Sequence, residues 1–178
     1  GADAASVSIN SSSGALSFNI SPDYETRSSY SIIVTVSDGT NETTKSITIN
    51  VTDVNDAPVF TSDATFRVAE NQTAIGTVGA TDADSGDSVT FTVSGSELSI
   101  TSAGVLSFAT APDYETKASY TATVTATDGT SETTQSITIN VTNIDEAPVF
   151  TSSSTFSAPE NQNAIGTVIA PDADGDTI

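Results

Sequence analysis

The sequence predicts an all-β protein made of stacked repeats, and three observations lead to that class. Apolar residues recur with a period of two. Segments of the chain return at an offset of 90 residues. Ser and Thr supply about a third of the 178 residues, a usage that suits half-exposed strands better than helices.

The elements follow in order along the one repeat that is whole, 58–147. Short strands fit near Thr65–Val68 and Ala74–Ala80. Val89, Phe91 and Val93 alternate with Thr90 and Thr92, so one face is buried and hydroxyls line the other. Strands near Leu98–Thr101 and Val105–Phe108 come next. Tyr120, Ala122, Val124 and Ala126 alternate with threonines, and Ile137, Ile139 and Val141 alternate with Thr138 and Asn140. Ser85-Gly86, Gly104, Pro112 and Gly129 punctuate these runs. Seven short antiparallel strands in about 90 residues describe an immunoglobulin-like Greek-key β-sandwich.

The repeat is written into the sequence at several places. Pro22-Asp-Tyr-Glu-Thr26 returns as Pro112-Asp-Tyr-Glu-Thr116, and Asp38-Gly-Thr40 as Asp128-Gly-Thr130. Ser46-Ile-Thr-Ile-Asn-Val-Thr52 returns as Ser136-Ile-Thr-Ile-Asn-Val-Thr142, and Ala57-Pro-Val-Phe60 as Ala147-Pro-Val-Phe150. In this frame residues 1–57 are the later part of a repeat and residues 148–178 the opening part of another, with Ile178 aligning near Val89. The chain carries no basic, apolar leader pattern and no apolar run near the roughly 18 residues of a membrane helix, so it reads as an internal part of something larger.

Composition excludes several functions. Four Lys plus Arg stand against 23 Asp plus Glu, a formal net charge of −19. Such a chain is repelled by nucleic acid and by anionic membranes. The absence of His and Cys removes Ser-His-Asp and Cys-His catalysis, zinc or haem ligation, and disulfides. Oxygen ligands remain, and they suit a hard cation: calcium, which takes 6–8 oxygens in irregular geometry, rather than magnesium, which demands an octahedron. Paired carboxylates also serve glycosidases. These pairs recur in every repeat and no tryptophan offers a sugar platform, so no enzyme is expected.

The acids gather at strand ends and repeat junctions. Asp23 and Glu25 are two apart, as are Asp113 and Glu115, Asp82 and Asp84, and Asp172 and Asp174. In an extended segment each pair would point to one side. The junctions read Asp53-Val-Asn-Asp56 and Asn143-Ile-Asp-Glu146. Like charges so spaced repel unless a cation sits among them. Tyr24 and Tyr114, inside the acidic pairs, are expected to close the bottom of the sandwich core.

Together these motifs resemble those of cadherin repeats. Asp53-Val-Asn-Asp-Ala-Pro-Val-Phe60 is similar to the linker pattern Asp-x-Asn-Asp-Asn-x-Pro-x-Phe. Ala69-Glu-Asn71 and Pro159-Glu-Asn161 resemble Pro-Glu-Asn, Asp113-Tyr-Glu115 resembles Asp-Arg-Glu, Asp82-Ala-Asp84 resembles Asp-x-Asp, and Asp128 resembles the Asp near the end of strand F. The Ser/Thr-rich, cysteine-free, near-identical repeats look like bacterial cadherin-like modules of large surface or secreted proteins. The resemblance implies calcium at each junction. At the first, Asp23, Glu25, Asp53, Asn55, Asp56, Asp82, Asp84 and Asp128 would be ligands. At the second, the set would be Glu70, Asp113, Glu115, Asn143, Asp145, Glu146, Asp172 and Asp174. Asp38 would face a preceding junction; Glu160 would join a neighbour's Asp23 and Glu25 only if two copies associate head to tail. Two departures bear on geometry: Ala57 stands where the family often has Asn, and Asn143, Asp145 and Glu146 permute the linker chemistry.

The resemblance further implies an extracellular or cell-surface structural and adhesion module, stiffened by calcium. Its partners would be neighbouring repeats of the same array and, homophilically, a second copy; separately, the complementary part repeats 1–57 and 148–178 lead to an expectation of head-to-tail self-association. The alternative reading is a calcium-dependent carbohydrate-binding module that takes polysaccharide, as in polysaccharide-degrading systems. Exchange of a tryptophan between molecules is not available here.

Overall fold

The computed structural model describes residues 1–176; Thr177 and Ile178, with the expected alignment of Ile178 near Val89, lie outside the described residues. A 3-10 turn, Ala4–Ser6, precedes the strands β1 (Val7–Ile9), β2 (Leu16–Phe18), β3 (Ser29–Ser37) and β4 (Glu42–Asn50). The middle repeat holds β5 (Val59–Phe60), β6 (Thr65–Ala69), β7 (Ala74–Thr77), β8 (Ala80–Thr81), β9 (Thr90–Val93), β10 (Leu98–Ile100), β11 (Val105–Phe108), β12 (Ser119–Thr127) and β13 (Glu132–Thr142).

The alternating Thr/apolar runs form the strands for the expected reason. β12 and β13 pair antiparallel over nine positions, Ser119↔Asn140 to Thr127↔Glu132, and turn at Asp128–Ser131, where Gly129 has φ +100°. β9 extends this sheet on one side and β6 joins it in parallel on the other, giving the order β6-β13-β12-β9. The facing sheet runs β10-β11-β7. Between them lie Val68, Val78, Phe91, Leu98, Leu106, Phe108, Val124, Ala126, Ile137, Ile139 and Val141, all buried.

The strand expected over 74–80 is instead two. β7 pairs with β11, and β8 pairs with β5 at the top of the repeat. The chain changes partner at Val78 and Gly79: the Val78 N–H donates to the Gly104 carbonyl, while the Gly79 carbonyl accepts from Thr61 and Ser62. Gly104 permits the crossing. Its φ is +85°, and a Cβ there would meet the Val78 carbonyl oxygen at 2.2 Å.

Residues 1–57 repeat half of this architecture. β3–β4 reproduces β12–β13 residue for residue, with Tyr30 opposite Ile49 as Tyr120 is opposite Ile139. β1–β2 reproduces β10–β11 with one more residue in the turn. Phe18 meets Tyr30 edge-on at 4.9 Å, as Phe108 meets Tyr120. These tyrosines, covered by Arg27 and Lys117, close the bottom of each core. Tyr24 and Tyr114, expected in that role, each leave more than a third of their surface in water. Residues 148–176 form no strand among the described residues, yet hold the outline of 58–86: the Thr151 N–H donates to Ile169 as the Thr61 N–H does to Gly79.

Candidate metal centres at the repeat junctions

The linkers 51–57 and 143–147 run directly from the last strand of one repeat, so acids at strand ends, turns and linkers converge there. At the first junction Glu25, Asp53 and Asp84 each place a carboxylate oxygen within 4.8 Å of the others, and so do Asp82, Asp84 and Asp87. Asp84 belongs to both triads. Its placement is built locally: the Asp84 N–H donates to Asp82 Oδ1 at 2.9 Å, and the Asp56 N–H donates to Asp84 Oδ2 at 2.8 Å. Asn55 Nδ2 reaches the Asp56 carbonyl, Asp128 Oδ2 and Ser131 Oγ, tying the linker to the β12–β13 turn.

The second junction is a close counterpart. Glu70, Glu115 and Glu146 form its triad within 4.8 Å. Glu70 is only 2% exposed. Its Oε1 accepts from the Ile144 N–H at 2.8 Å and its Oε2 from the Tyr114 N–H at 2.9 Å. One carboxylate thereby fastens the linker and the 113–117 turn to the end of β6. Asn71, at φ +64°, sends its Nδ2 to Glu146 Oε1 at 2.7 Å. The Glu146 N–H donates to Asp174 Oδ2 and the Asp174 N–H to Asp172 Oδ1.

Four carboxylate oxygens in these clusters are buried without any donor: Asp82 Oδ2, Asp84 Oδ1, Glu146 Oε2 and Asp174 Oδ1. A buried acceptor with no donor is costly unless a cation takes it. Burial holds the Asp87 carboxyl above its ordinary value, helped by Asp82, Asp84, Asp128 and Asp53. Burial likewise raises Glu115, with Glu70, Asp174 and Asp113 adding to it, and raises Glu146 against the pull of Asn71. Glu25 is drawn down by its own backbone N–H, but desolvation and the facing Asp53, Asp84 and Asp56 carry it above the usual range. Asp174 is held low by the Glu146 N–H and the Asn143 amide. The donor set is all oxygen, from separate chain segments, and it suits calcium.

The remaining expected ligands are placed differently. Asp23 and Asp113 do not lie in extended segments. Each caps its own turn, Asp23 accepting from the Thr26 N–H and Oγ1, Asp113 from the Thr116 N–H and Oγ1. Their partners two residues on, Glu25 and Glu115, enter the triads. Asp128 takes the Thr130 and Ser131 N–H groups on one oxygen and Asn55 on the other. Asp38 makes the same turn with Thr40 and Asn41 at the far end of β3. Asp56 contributes its backbone to the cluster, while Asn143, Asp145 and Glu160 are exposed and outside the triads. Asp172 supports Asp174. Asp87 was not expected: it sits past Gly86 in a loop, and only the fold returns it to Asp82 and Asp84.

The family model described as Bacterial Ig domain matches residues 55–142. Human Cadherin EGF LAG seven-pass G-type receptor 2 is 36% identical over 178 residues, covering 90% of this chain; the chain spans 6% of that receptor's length. Among solved structures, mouse Cadherin-23 EC22-24 is 25% identical at TM-score 0.56, covering 94% of this chain and 61% of that one. Drosophila N-cadherin EC1-4 is 27% identical at TM-score 0.58, covering 79% and 38%. The repeat frame, the linker motifs and these relatives agree, and the chain belongs to the family of cadherin-like repeats.

Proposed function

We propose that this chain is a non-catalytic, calcium-clasped adhesion and spacer module of an extracellular or cell-surface protein, of the bacterial kind its composition suggests. The observation that carries the reading is the set of buried, donor-free carboxylate oxygens at the two junctions: Asp82 Oδ2, Asp84 Oδ1 and Glu146 Oε2 within the acidic triads, and Asp174 Oδ1 beside them. Glu25, Asp53, Asp82, Asp84 and Asp87 would hold ions at the first junction, and Glu70, Glu115, Glu146 and Asp174 at the second. Calcium would supply positive charge where three segments bring only negative charge, so linker and neighbouring turns would be held as one piece. The partners we assign are neighbouring repeats of the same array and, homophilically, a second copy.

Calorimetric titration with calcium, paired with small-angle scattering before and after chelation, tests this. Expected are saturable binding, a higher melting temperature and a longer particle with calcium. Identical melting and scattering profiles in calcium and in chelator would refute it.

A further inference from the structure

The two linkers match in the number of their acids but not in the placing of them. Asp53 and Asp56 are the acids of 53–56, and Asp145 and Glu146 are those of 143–146. At the repeat offset of 90, Asn143 stands where Asp53 stood and Asp145 where Asn55 stood. A carboxylate and an amide have changed places, and the net charge of the linker is unchanged.

The exchange falls on the position that spans two repeats. At the first junction Glu25 comes from a turn of the repeat below, Asp53 from the linker and Asp84 from the repeat above, and their oxygens lie within 4.8 Å of one another. The other triad there, Asp82, Asp84 and Asp87, lies wholly in the repeat above. At the second junction the triad is Glu70, Glu115 and Glu146: two residues of the repeat below and one of the linker. The three positions that match Glu25, Asp53 and Asp84 hold Glu115, Asn143 and Asp174, two carboxylates and an amide.

The rest of this spanning position is kept. The Asp56 N–H donates to Asp84 Oδ2 at 2.8 Å, and the Glu146 N–H to Asp174 Oδ2 at 2.7 Å. Asp84 Oδ1 and Asp174 Oδ1 are both buried without a donor. Only the electrostatics change. Glu25, drawn down by its own backbone N–H, is carried above the usual range by burial and by the like charge of Asp53. Asp174 is held low, first by the Glu146 N–H and then by the Asn143 amide. Asp145 restores the charge but not the place, since it is exposed and outside the triad.

Resting on the calcium reading above, we infer that Asn143 makes the second junction a hinge. Calcium affinity at an oxygen site follows the charge count of its ligands, so the spanning position binds about tenfold to hundredfold more weakly with Asn143 than with Asp53. Between the two concentration ranges the linker 143–147 is fastened to the repeat below through Glu70, Glu115 and Glu146, while its hold on the repeat above is loose. The first junction is stiff under the same conditions. One residue thereby decides which joints of a run of similar repeats bend.

The test uses the full chain as parent, D53N, N143D and N143D/D145N, the last with the net charge of the parent. All three positions are exposed, so the sandwich core is untouched. Calcium is titrated by calorimetry, and small-angle scattering follows particle length over the same concentrations. Expected in the parent are tight and weak classes of binding about tenfold to hundredfold apart, with the particle lengthening again as the weak class fills. N143D and N143D/D145N move sites from the weak class to the tight one and lengthen the particle at lower calcium. D53N moves sites the other way. N143D/D145N binding like the parent, or D53N leaving the tight class whole, overturns the hinge and leaves calcium binding standing. A parent that takes up no calcium overturns both.

Discussion

Glu70 offers the sharpest probe of the junction. Replacing it by Ala removes a carboxylate that is 2% exposed and strands two backbone donors, Ile144 N–H and Tyr114 N–H. Charge-assisted hydrogen bonds to a buried carboxylate contribute about 1.5–3 kcal/mol each, so the loss of two is about 3–6 kcal/mol. For a domain of this size that lowers the melting temperature by at least about 12 °C. Metal-free, the loss is partly offset, because Glu115 and Glu146 are relieved of a like charge within 4.8 Å. With calcium bound there is no such relief and a ligand is gone. Calorimetric melting of E70A in calcium and in chelator therefore shows a large drop in both, and the larger drop in calcium. Glu160 occupies the same motif position but is exposed, so E160A stays within about 0.5 kcal/mol of the parent. An E70A melting point within about 4 °C of the parent in both conditions would refute the reasoning.

Asp84→Ala weakens calcium binding at the first junction more than Asp87→Ala, because Asp84 serves both triads, and Asp87→Ala still weakens it measurably; an unchanged affinity in either variant, read by calorimetry, removes that residue from the site. Metal-free protein gains stability as pH falls from neutrality through the ordinary Glu and Asp range. Asp87, Glu115, Glu146 and Glu25 are all raised in the fold, so their destabilising ionisation is undone by protonation. Below that range Asp23, Asp38 and Asp128, held low by their turns, reverse the trend as they protonate. Denaturant melts from pH 7 to 3 in chelator check this; a monotonic fall from pH 7 would contradict it. In calcium the first limb inverts, since protonation then releases the ion.

Much of this was legible in the sequence because alternation and repetition are local signals. The runs 120–126, 137–141, 89–93 and 105–108 reappear as β12, β13, β9 and β11. The split of 74–80 left only a faint mark, the core residues Ile75 and Val78 standing three apart instead of two; where the backbone changes partner is set by Gly104 from another strand. Spacing alone put Asp23 and Glu25 side by side. The Thr three residues on captured the Asp in a turn, the local competition by which Asp favours turns. Glu70, Asp84 and Glu146 were recognisable from their motifs, while Asp87 lacked one and is defined only by tertiary approach.

The parallel ladder between β6 and β13 has a mechanical consequence. The chain enters the repeat through β5, held by only two pairs to β8, then runs into β6, and it leaves just after β13. Tension along an array pulls β6 and β13 lengthwise past each other, so the rungs from Thr65↔Thr138 to Thr142↔Ala69 are strained together rather than peeled one by one. Glu70 stands at the exit end of that ladder, gripping the linker through Ile144. Traction on a neighbouring repeat therefore reaches the acidic cluster and the shear-loaded ladder at the same point.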